Sequence, residues 1–303
     1  MIRDSQHGFC EGFSCVTNLL FFLEEVTANI DVKHKIDTIY FDLAKTFDTV
    51  PHQRLLAKLK AHGISGLVLS WIEAWLSDRW QCVCLDGVYS SWRHVWSGVP
   101  QGSVLGPILF LIFINDLDEQ LSGRVLKFTD DTKLFDIVDN QTQAQNLQKD
   151  IDILGSWAQE WQMKFNVEKC KVVHYGRDNI GYNYTLYGQP LTALDSEKDL
   201  GVVFSNDLKV GIQNHTAYSK ASQSLSLIHR IIKFKNPKIL IPVYKSMVRP
   251  HLEYCTVVWS PHYVKSAGGL TKHRVGRVNR VDPVFSASLT AYVGPPVPRQ
   301  PPR

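Results

Sequence analysis

The stretch KFTDDTKLF, residues 127–135, sets two adjacent carboxylates, Asp130 and Asp131, between flanks in which apolar and polar residues alternate. Like charges held close together in a folded site repel and raise each other's pKa unless a cation lies between them. Two interpretations follow. The pair is either an exposed turn between two short strands, which is ordinary turn chemistry, or part of a metal-binding site.

A third carboxylate follows another strand-like run. The segment DTIYFDL is rich in β-branched and aromatic residues and predicts a strand that ends at Asp42. If this strand shares a sheet with the hairpin around Asp130 and Asp131, three acids meet at one edge. Three carboxylates on rigid strands suit two divalent cations in phosphoryl transfer, and their hard oxygens favour Mg²⁺. Asp48 competes with Asp42, but its neighbours favour a helix start or a cap.

Strands and helices together would have to position these acids. Apolar residues at helical spacing predict two helices separated at Gly63, a helix from Gln141, and more helices toward the C-terminus. Hairpins are predicted at Asp86–Gly87 and around Gly188. The apolar run 108–114 is too short to span a bilayer and is interpreted as a buried element.

A glycine-containing segment, WSGVPQGSVLGPILF, lies between the two acidic motifs. Gly98, Gly102 and Gly106 permit tight turns and close backbone approach before a buried helix. Packing of that helix is one explanation. The interleaved polar residues, Gln101 among them, favour contact with a flat ligand such as a base pair.

Composition and charge describe a globular protein. Its 303 residues are 44% hydrophobic and 20% charged, enough for one large or two smaller domains. Residues 266–303 carry six Lys or Arg and one acid, Asp282, so residues 1–265 have a net charge of −1 within the total of +4. Any nucleic-acid surface on the body must therefore be a local patch. Six cysteines without metal or disulfide spacing, and no signal pattern, favour an intracellular protein.

Seven segments, in order between Gln6 and about Lys265, resemble the reverse transcriptases of non-LTR (LINE-type) retrotransposons, most like the CR1 and jockey-like groups. They are QHGFCEGFSCVTNLL, FDLAKTFDTVPH, SGVPQGSVLGPILFLIFINDL, KFTDDTKLF, WAQEWQMKFNVEKCKVVHYG, EKDLGVVF and YKSMVRPHLEYCTVVWSPHY. The resemblance implies an α+β polymerase right-hand palm, an antiparallel sheet with packed helices. The implied regions are partial fingers over 1–36, the palm over 37–205 and a mainly helical thumb-like region over 206–265. Beyond them, composition predicts a basic, proline-rich, disordered tail over 266–303.

The resemblance also implies roles for individual residues. Asp42, Asp130 and Asp131 match the catalytic, metal-binding carboxylates, with two Mg²⁺ as cofactors and Mn²⁺ as a substitute ion. The other matched positions are Phe47, which blocks a ribose 2′-hydroxyl; Gln101 and Gly102, under the incoming nucleotide; Leu200 and Gly201, the primer grip; and Lys169, which either protonates the leaving pyrophosphate or is an exposed cation before a strand.

The implied function is RNA-directed DNA polymerisation, with an RNA template, a DNA primer and deoxynucleoside triphosphates as partners and no membrane. The alternative is a catalytically inactive retrotransposon remnant that at most binds nucleic acid or protein. Two features favour the alternative: the chain starts directly at the fingers segment, and the family pattern stops after Lys265. They predict a chain truncated at both ends that polymerises poorly alone. Thr129 and Thr46, in place of smaller residues, are milder departures.

Overall fold

The computed structural model describes residues 2–233 and 236–260, which fall into two compact units. The predicted tail, 266–303, lies outside the described residues, and the predicted borders between fingers, palm and thumb-like region stay predictions. Of the described residues, the first unit comprises those up to Gly201 and Ser205–Leu208, and the second comprises Val202–Phe204 and those from Lys209 to Ser260.

Two helices of the first unit, α1 (Cys15–Asp31) and α6 (Gln141–Glu160), begin where side chains satisfy the first backbone N–H groups. Ser14 and Thr17 form a reciprocal capping box at the start of α1, and Asn140 and Gln143 form another at the start of α6. The helices of the described residues are α1 (Cys15–Asp31), α2 (Thr46–Thr49), α3 (His52–Ala61), α4 (Gly66–Leu76), α5 (Leu105–Phe113), α6 (Gln141–Glu160), α7 (Gly211–Ile231), α8 (Pro237–Met247), α9 (Arg249–Glu253) and α10 (Thr256–Trp259).

Strands in the described residues are mostly short. They are β1 (Ile36–Phe41), β2 (Arg79–Gln81), β3 (Cys84–Leu85), β4 (Val88–Tyr89), β5 (Arg93–Val95), β6 (Arg124–Phe128), β7 (Asp131–Ile137), β8 (Lys171–Tyr175), β9 (Thr185–Leu186), β10 (Gln189–Pro190), β11 (Thr192–Ala193), β12 (Ser196–Asp199) and β13 (Val202–Ser205).

The central sheet of the first unit has five strands in the order β11-β8-β1-β7-β6. Strand β1 is antiparallel to both β7 and β8, and β6 is antiparallel to β7. The ladder between β1 and β7 runs from Ile36↔Ile137 to Phe41↔Thr132. Strand β1 is therefore held on both sides, and the residue that follows it has a fixed place at the end of the sheet.

Helices cover both faces of this sheet, because side chains alternate along β1. Ile39 and Phe41 belong to the main buried core, which also contains Leu55 of α3 and Phe110 of α5. Phe22 of α1 packs edge-on in a separate aromatic cluster with Tyr40, Phe135 and Tyr175. Complete burial of one such side chain contributes roughly 2 kcal/mol, so packing on both faces makes the sheet a rigid support.

Buried lysines are a feature of the first unit that the sequence analysis did not predict. The three in the described residues each pair with an aspartate: Lys58 with Asp116, Lys127 with Asp118, and Lys133 with Asp199. Burial lowers the pKa of Lys58 to about 8, although Asp116 opposes the shift. Its Nζ also lies 3.7 Å from the centroid of the Trp161 ring, within cation–π range.

Several local predictions are confirmed. Asp86 and Gly87, with φ of 49° and 82°, form the turn between β3 and β4, as a two-residue hairpin of the primed type requires. Gly188 separates β9 from β10, Gly63 lies between α3 and α4, and α6 begins at Gln141. No helix of the described ranges, 2–233 and 236–260, is long and apolar enough to cross a membrane.

In the second unit, helices pack through a small apolar cluster. Ala221 and Ile228 of α7 and Val248 are buried, with Leu225 and Val243 packed against them. Pro242 lies inside α8.

Candidate active site

Asp42 directly follows β1, at the end of the sheet. Its side chain is 35% exposed, and its Oδ2 lies 3.3 Å from Lys169 Nζ. That oxygen is nevertheless shielded from water and accepts no hydrogen bond from the described part of the chain. A shielded carboxylate oxygen without a hydrogen bond is costly for folding. Because Lys169 Nζ donates a 3.5 Å hydrogen bond to Oδ1, Oδ2 is the oxygen of Asp42 that remains available to a ligand.

Asp130 and Asp131 lie at the turn between β6 and β7, as the sequence predicted. The last pair of this ladder is Phe128↔Asp131, so Thr129 and Asp130 form a two-residue turn. Thr129 has a φ of 60°, in a region that β-branched residues rarely adopt. The turn is thus tight and its backbone conformation is unusual for this sequence.

Asp42 and Asp131 meet across the β1–β7 ladder. The register pairs Phe41 with Thr132, and one residue further it sets Asp42 opposite Asp131. Both side chains line one cleft of about 390 Å³. The structure thus brings together acids that are far apart in sequence, from two separate motifs.

The carboxylates around Asp131 act on one another. Partial burial raises the pKa of Asp131 to about 6, and the negative charges of Asp130, Asp199 and Asp42 act in the same direction. Lys133 opposes the shift. Electrostatic repulsion at this end of the sheet is therefore only partly neutralised by the protein.

The site fits a divalent cation in its chemistry. It offers hard carboxylate oxygens, which Mg²⁺ and Mn²⁺ accept, and Asp42 Oδ2 makes no hydrogen bond. Among residues 2–233 and 236–260, however, no three His, Cys, Asp or Glu side chains are close enough to hold one ion. Asp42, Asp130 and Asp131 lie at the same end of the sheet, but their carboxylates are not close enough together for all three to bind one ion.

The predicted primer grip lies beside the same cleft. Leu200, which lines the cleft, and Gly201 follow β12 and have φ of 43° and 89°. Asp199, immediately before them, forms a buried ion pair with Lys133 of β7. This pair ties the segment before the predicted primer grip to the strand that carries Asp131.

Three predicted nucleotide-binding residues do not line this cleft: Phe47, Gln101 and Gly102. The half-buried Phe47 ring lies 5.0 Å from the ring of Phe110 in the core. Gln101 Nε2 donates a hydrogen bond of 3.1 Å to Asp48 Oδ1. Asp48 lies in the first turn of α2, as predicted, and Gln101 is tied to that turn.

Two explanations were open for the glycines near Gln101, and the structure separates them. A Cβ on Gly98 would lie 2.6 Å from Phe47 O, and one on Gly106 would lie 2.6 Å from Pro100 O. Internal packing explains both. Gly102, with a φ of 77°, has no atom within 4 Å of its Cβ position, so its open side is free for a ligand.

Comparison with known proteins identifies the family. Residues 1–204 match the family described as reverse transcriptase (RNA-dependent DNA polymerase). The chain belongs to this family. It is 30% identical over 272 residues to the RNA-directed DNA polymerase from mobile element jockey of Drosophila funebris. The matched region covers 84% of this chain and 28% of that relative. It is 28% identical to the probable RNA-directed DNA polymerase from transposon BS of Drosophila melanogaster, over 96% of this chain and 36% of the relative.

These relatives confirm the predicted resemblance to non-LTR reverse transcriptases and the enzyme class predicted for the family. Solved structures confirm the α+β polymerase fold. Telomerase from Candida albicans, in complex with the TWJ fragment of telomeric RNA, gives a TM-score of 0.53 at 10% identity. The superposed region covers 95% of this chain and 55% of the telomerase chain. Apo telomerase from Candida tropicalis gives 0.50 at 13% identity, covering 79% and 39%.

Sequence reasoning missed three residues at this candidate site: Lys133 and Asp199, which line the cleft, and Gln6, which bonds the turn before Asp130. Alternation along TKLFD could have placed Lys133 on the same face as Asp131, which would have predicted a buried charge in need of a partner. No local signal identifies Asp199 as that partner, because 66 residues separate the pair. Gln6 belongs to the first matched motif, but its amide carries no pattern of its own.

Proposed function

We propose that the chain is the polymerase part of a retrotransposon-derived reverse transcriptase, which extends a DNA primer on an RNA template inside the cell. The observation that carries the proposal is the meeting of Asp42 and Asp131 across the β1–β7 ladder, at a single cleft, with Asp130 in the adjoining turn. These are the acids that the family motifs designate. Deoxynucleoside triphosphates are the proposed substrates.

The three aspartates supply the oxygens that would hold two Mg²⁺, or Mn²⁺ in their place. Divalent cations, when bound, help to activate an attacking oxygen and to stabilise a leaving one in an in-line displacement. Asp42 would contribute its shielded Oδ2, Asp130 an oxygen from the turn and Asp131 an oxygen from the start of β7. Because no three such side chains of the described residues are close enough to share an ion, binding would require these side chains to move toward one another.

Lysines of the cleft complete the charge pattern. Lys171 and Lys198 line it together with Lys169, and cations of this kind attract a triphosphate and steer it toward the acids. Lys169 is the proposed donor of a proton to the leaving pyrophosphate, since its Nζ lies beside Asp42. An exposed lysine with no catalytic role is the alternative.

Selectivity is assigned to the remaining matched residues. Phe47 is the proposed gate that excludes a ribose 2′-hydroxyl by steric contact. Gln101 and Gly102 are proposed to support the incoming nucleotide, and the open side of Gly102 favours such a contact. Leu200 and Gly201 are proposed to hold the primer, with Leu200 at the wall of the cleft.

The test is primer extension by the full chain on an RNA template with Mg²⁺, comparing Asp130→Asn with Asp136→Asn. Asp136 is a matched control, because it lies on the same strand β7 but away from the turn. We expect Asp130→Asn to lower the rate by about 10³-fold or more, as is typical when transition-state charge loses its stabilisation. Asp136→Asn should stay within about threefold of the unmodified chain.

Calorimetric titration with Mg²⁺ gives a second measurement, in which Asp130→Asn should weaken binding. Extension by the unmodified chain no faster than by Asp130→Asn would contradict the proposal. That result would favour the inactive remnant.

A further inference from the structure

The turn that carries Asp130 has an unusual backbone and needs support. Thr129, at φ 60°, is β-branched and buried, and such residues rarely adopt the left-handed region without constraint from their surroundings. A relaxed turn would redirect the two carboxylates that follow. The structure shows what provides the constraint.

Gln6 holds Thr129 through both ends of its side-chain amide. Its Nε2 donates to Thr129 O at 3.1 Å, and its Oε1 accepts from Thr129 N at 2.8 Å. The same Oε1 accepts from Gly8 N at 2.8 Å. Gln6 is 2% exposed, so water does not replace these bonds, and the amide acts on Thr129 as a neighbouring strand would.

The N-terminal segment is shaped to bring Gln6 to this place. His7 N donates to Lys127 O at 2.9 Å, and Lys127 N donates to Ser5 O at 2.7 Å, which aligns the segment with the end of β6. Gly8 then packs directly on the turn, since a Cβ there would lie 2.5 Å from both Thr129 N and Oγ1. Only glycine leaves room for Thr129 at this point.

We infer that Gln6 is a positioning residue for the catalytic turn: it fixes Thr129 in the left-handed conformation from which Asp130 and Asp131 project. The catalytic consequence rests on the proposed function, whereas the effect on the turn conformation does not. The N-terminal segment thereby supports the turn that carries Asp130 without touching substrate.

The test compares Gln6→Met with Gln148→Met. Gln148 is a matched control, because its amide also bonds the backbone N and O of a threonine, Thr185, at 2.8 Å each. Hydrogen exchange of the full chain should show faster exchange, by about tenfold, at the Thr129 amide in Gln6→Met. Gln148→Met should leave that amide unchanged. Gln6→Asn, which keeps an amide but shortens its reach, should give the same direction if Gln6→Met does not fold.

A second arm separates positioning from packing. Glycine adopts φ near 60° without support, so the effect of Gln6→Met on primer extension should shrink in a Thr129→Gly background. We expect a loss of at least tenfold in kcat in the Thr129 chain and less than threefold in the Thr129→Gly chain. A role limited to packing the N-terminal segment would give equal losses in both, and that result would overturn the inference.

The two hypotheses fail in different ways. If the unmodified chain neither extends a primer nor binds Mg²⁺, the proposed function fails, and hydrogen exchange at Thr129 still decides the role of Gln6. Equal exchange in Gln6→Met and the unmodified chain would overturn the inference, whatever the activity.

Discussion

Strand β1 has an aspartate near each end, and the fold surrounds the two in opposite ways. Asp37 is fully buried and makes three hydrogen bonds: with His174 Nδ1 at 2.7 Å, Asn179 Nδ2 at 2.8 Å and the Tyr184 hydroxyl at 2.7 Å. Asp42 is partly exposed, and its Oδ2 accepts no hydrogen bond from the described residues. They are only five positions apart in sequence.

The difference separates a structural carboxylate from a candidate functional one. A carboxylate whose oxygens are already bonded to donors has little left to offer a ligand, and removing it leaves those donors unsatisfied. The pKa of the Tyr184 hydroxyl is raised by burial and by Asp37, so this tyrosine remains a donor. A carboxylate without such donors costs the fold stability and becomes useful when a cation binds.

The largest expected effect on stability distinguishes these two aspartates directly. Asp37→Asn should lower the free energy of unfolding by about 4 kcal/mol, because hydrogen bonds to a buried charged group contribute roughly 1.5–3 kcal/mol each. Asp42→Asn should change it by less than about 1 kcal/mol, since its 3.5 Å hydrogen bond from Lys169 Nζ is long and comes from an exposed side chain. Urea unfolding measures both. Similar losses in the two variants would show that the different surroundings of Asp37 and Asp42 do not give them different contributions to stability.

The buried ion pair between Lys133 and Asp199, in the same cleft as Asp42, sharpens the comparison. Lys133→Met leaves Asp199 buried without its partner and should cost about 3 kcal/mol. Adding Asp199→Leu should recover most of the loss, since an apolar pair of similar size removes the unpaired charge. The double-mutant cycle, measured by urea unfolding, should therefore give strong coupling. Additive losses would contradict the pairing.

The smallest expected effect on stability concerns the exposed partner of Asp42. Lys169 is 65% exposed, so Lys169→Ala should change the free energy of unfolding by less than about 0.5 kcal/mol. If Lys169 donates a proton to the leaving group, kcat for primer extension should nevertheless fall by about 10²-fold. Lys164→Ala, at another exposed lysine, is the control. An unchanged kcat would assign Lys169 to the solvated surface.

Local patterns predicted the strands and turns of the site well. Alternation and turn residues indicated β1, the hairpin with Asp130 and Asp131, and the Asp86–Gly87 turn, because each depends on a few neighbouring residues. The motif order then placed Asp42 with the other acids. The meeting of Asp42 with Asp131 followed once both were assigned to one sheet.

Interactions between distant segments could not be predicted in this way. Lys133 pairs with Asp199, and Gln6 contacts Thr129, only because segments distant in sequence pack together. No local pattern shows which distant segments will do so. The surroundings of Phe47 are a further example. Its position in the motif predicts a gate, which stays a prediction, and no local pattern indicated that its ring would pack on Phe110 outside the cleft that Asp42 lines.

The contact between Gln6 and Thr129 also sets an order of assembly. The two residues are 123 positions apart, and such long-range contacts form late because the intervening loop must close first. During synthesis the N-terminal segment leaves the ribosome long before β6 exists to receive it. The turn at Thr129 can therefore be fixed only once β6 and β7 exist and the N-terminal segment has packed against them, so a two-residue turn depends on a contact between distant parts of the chain.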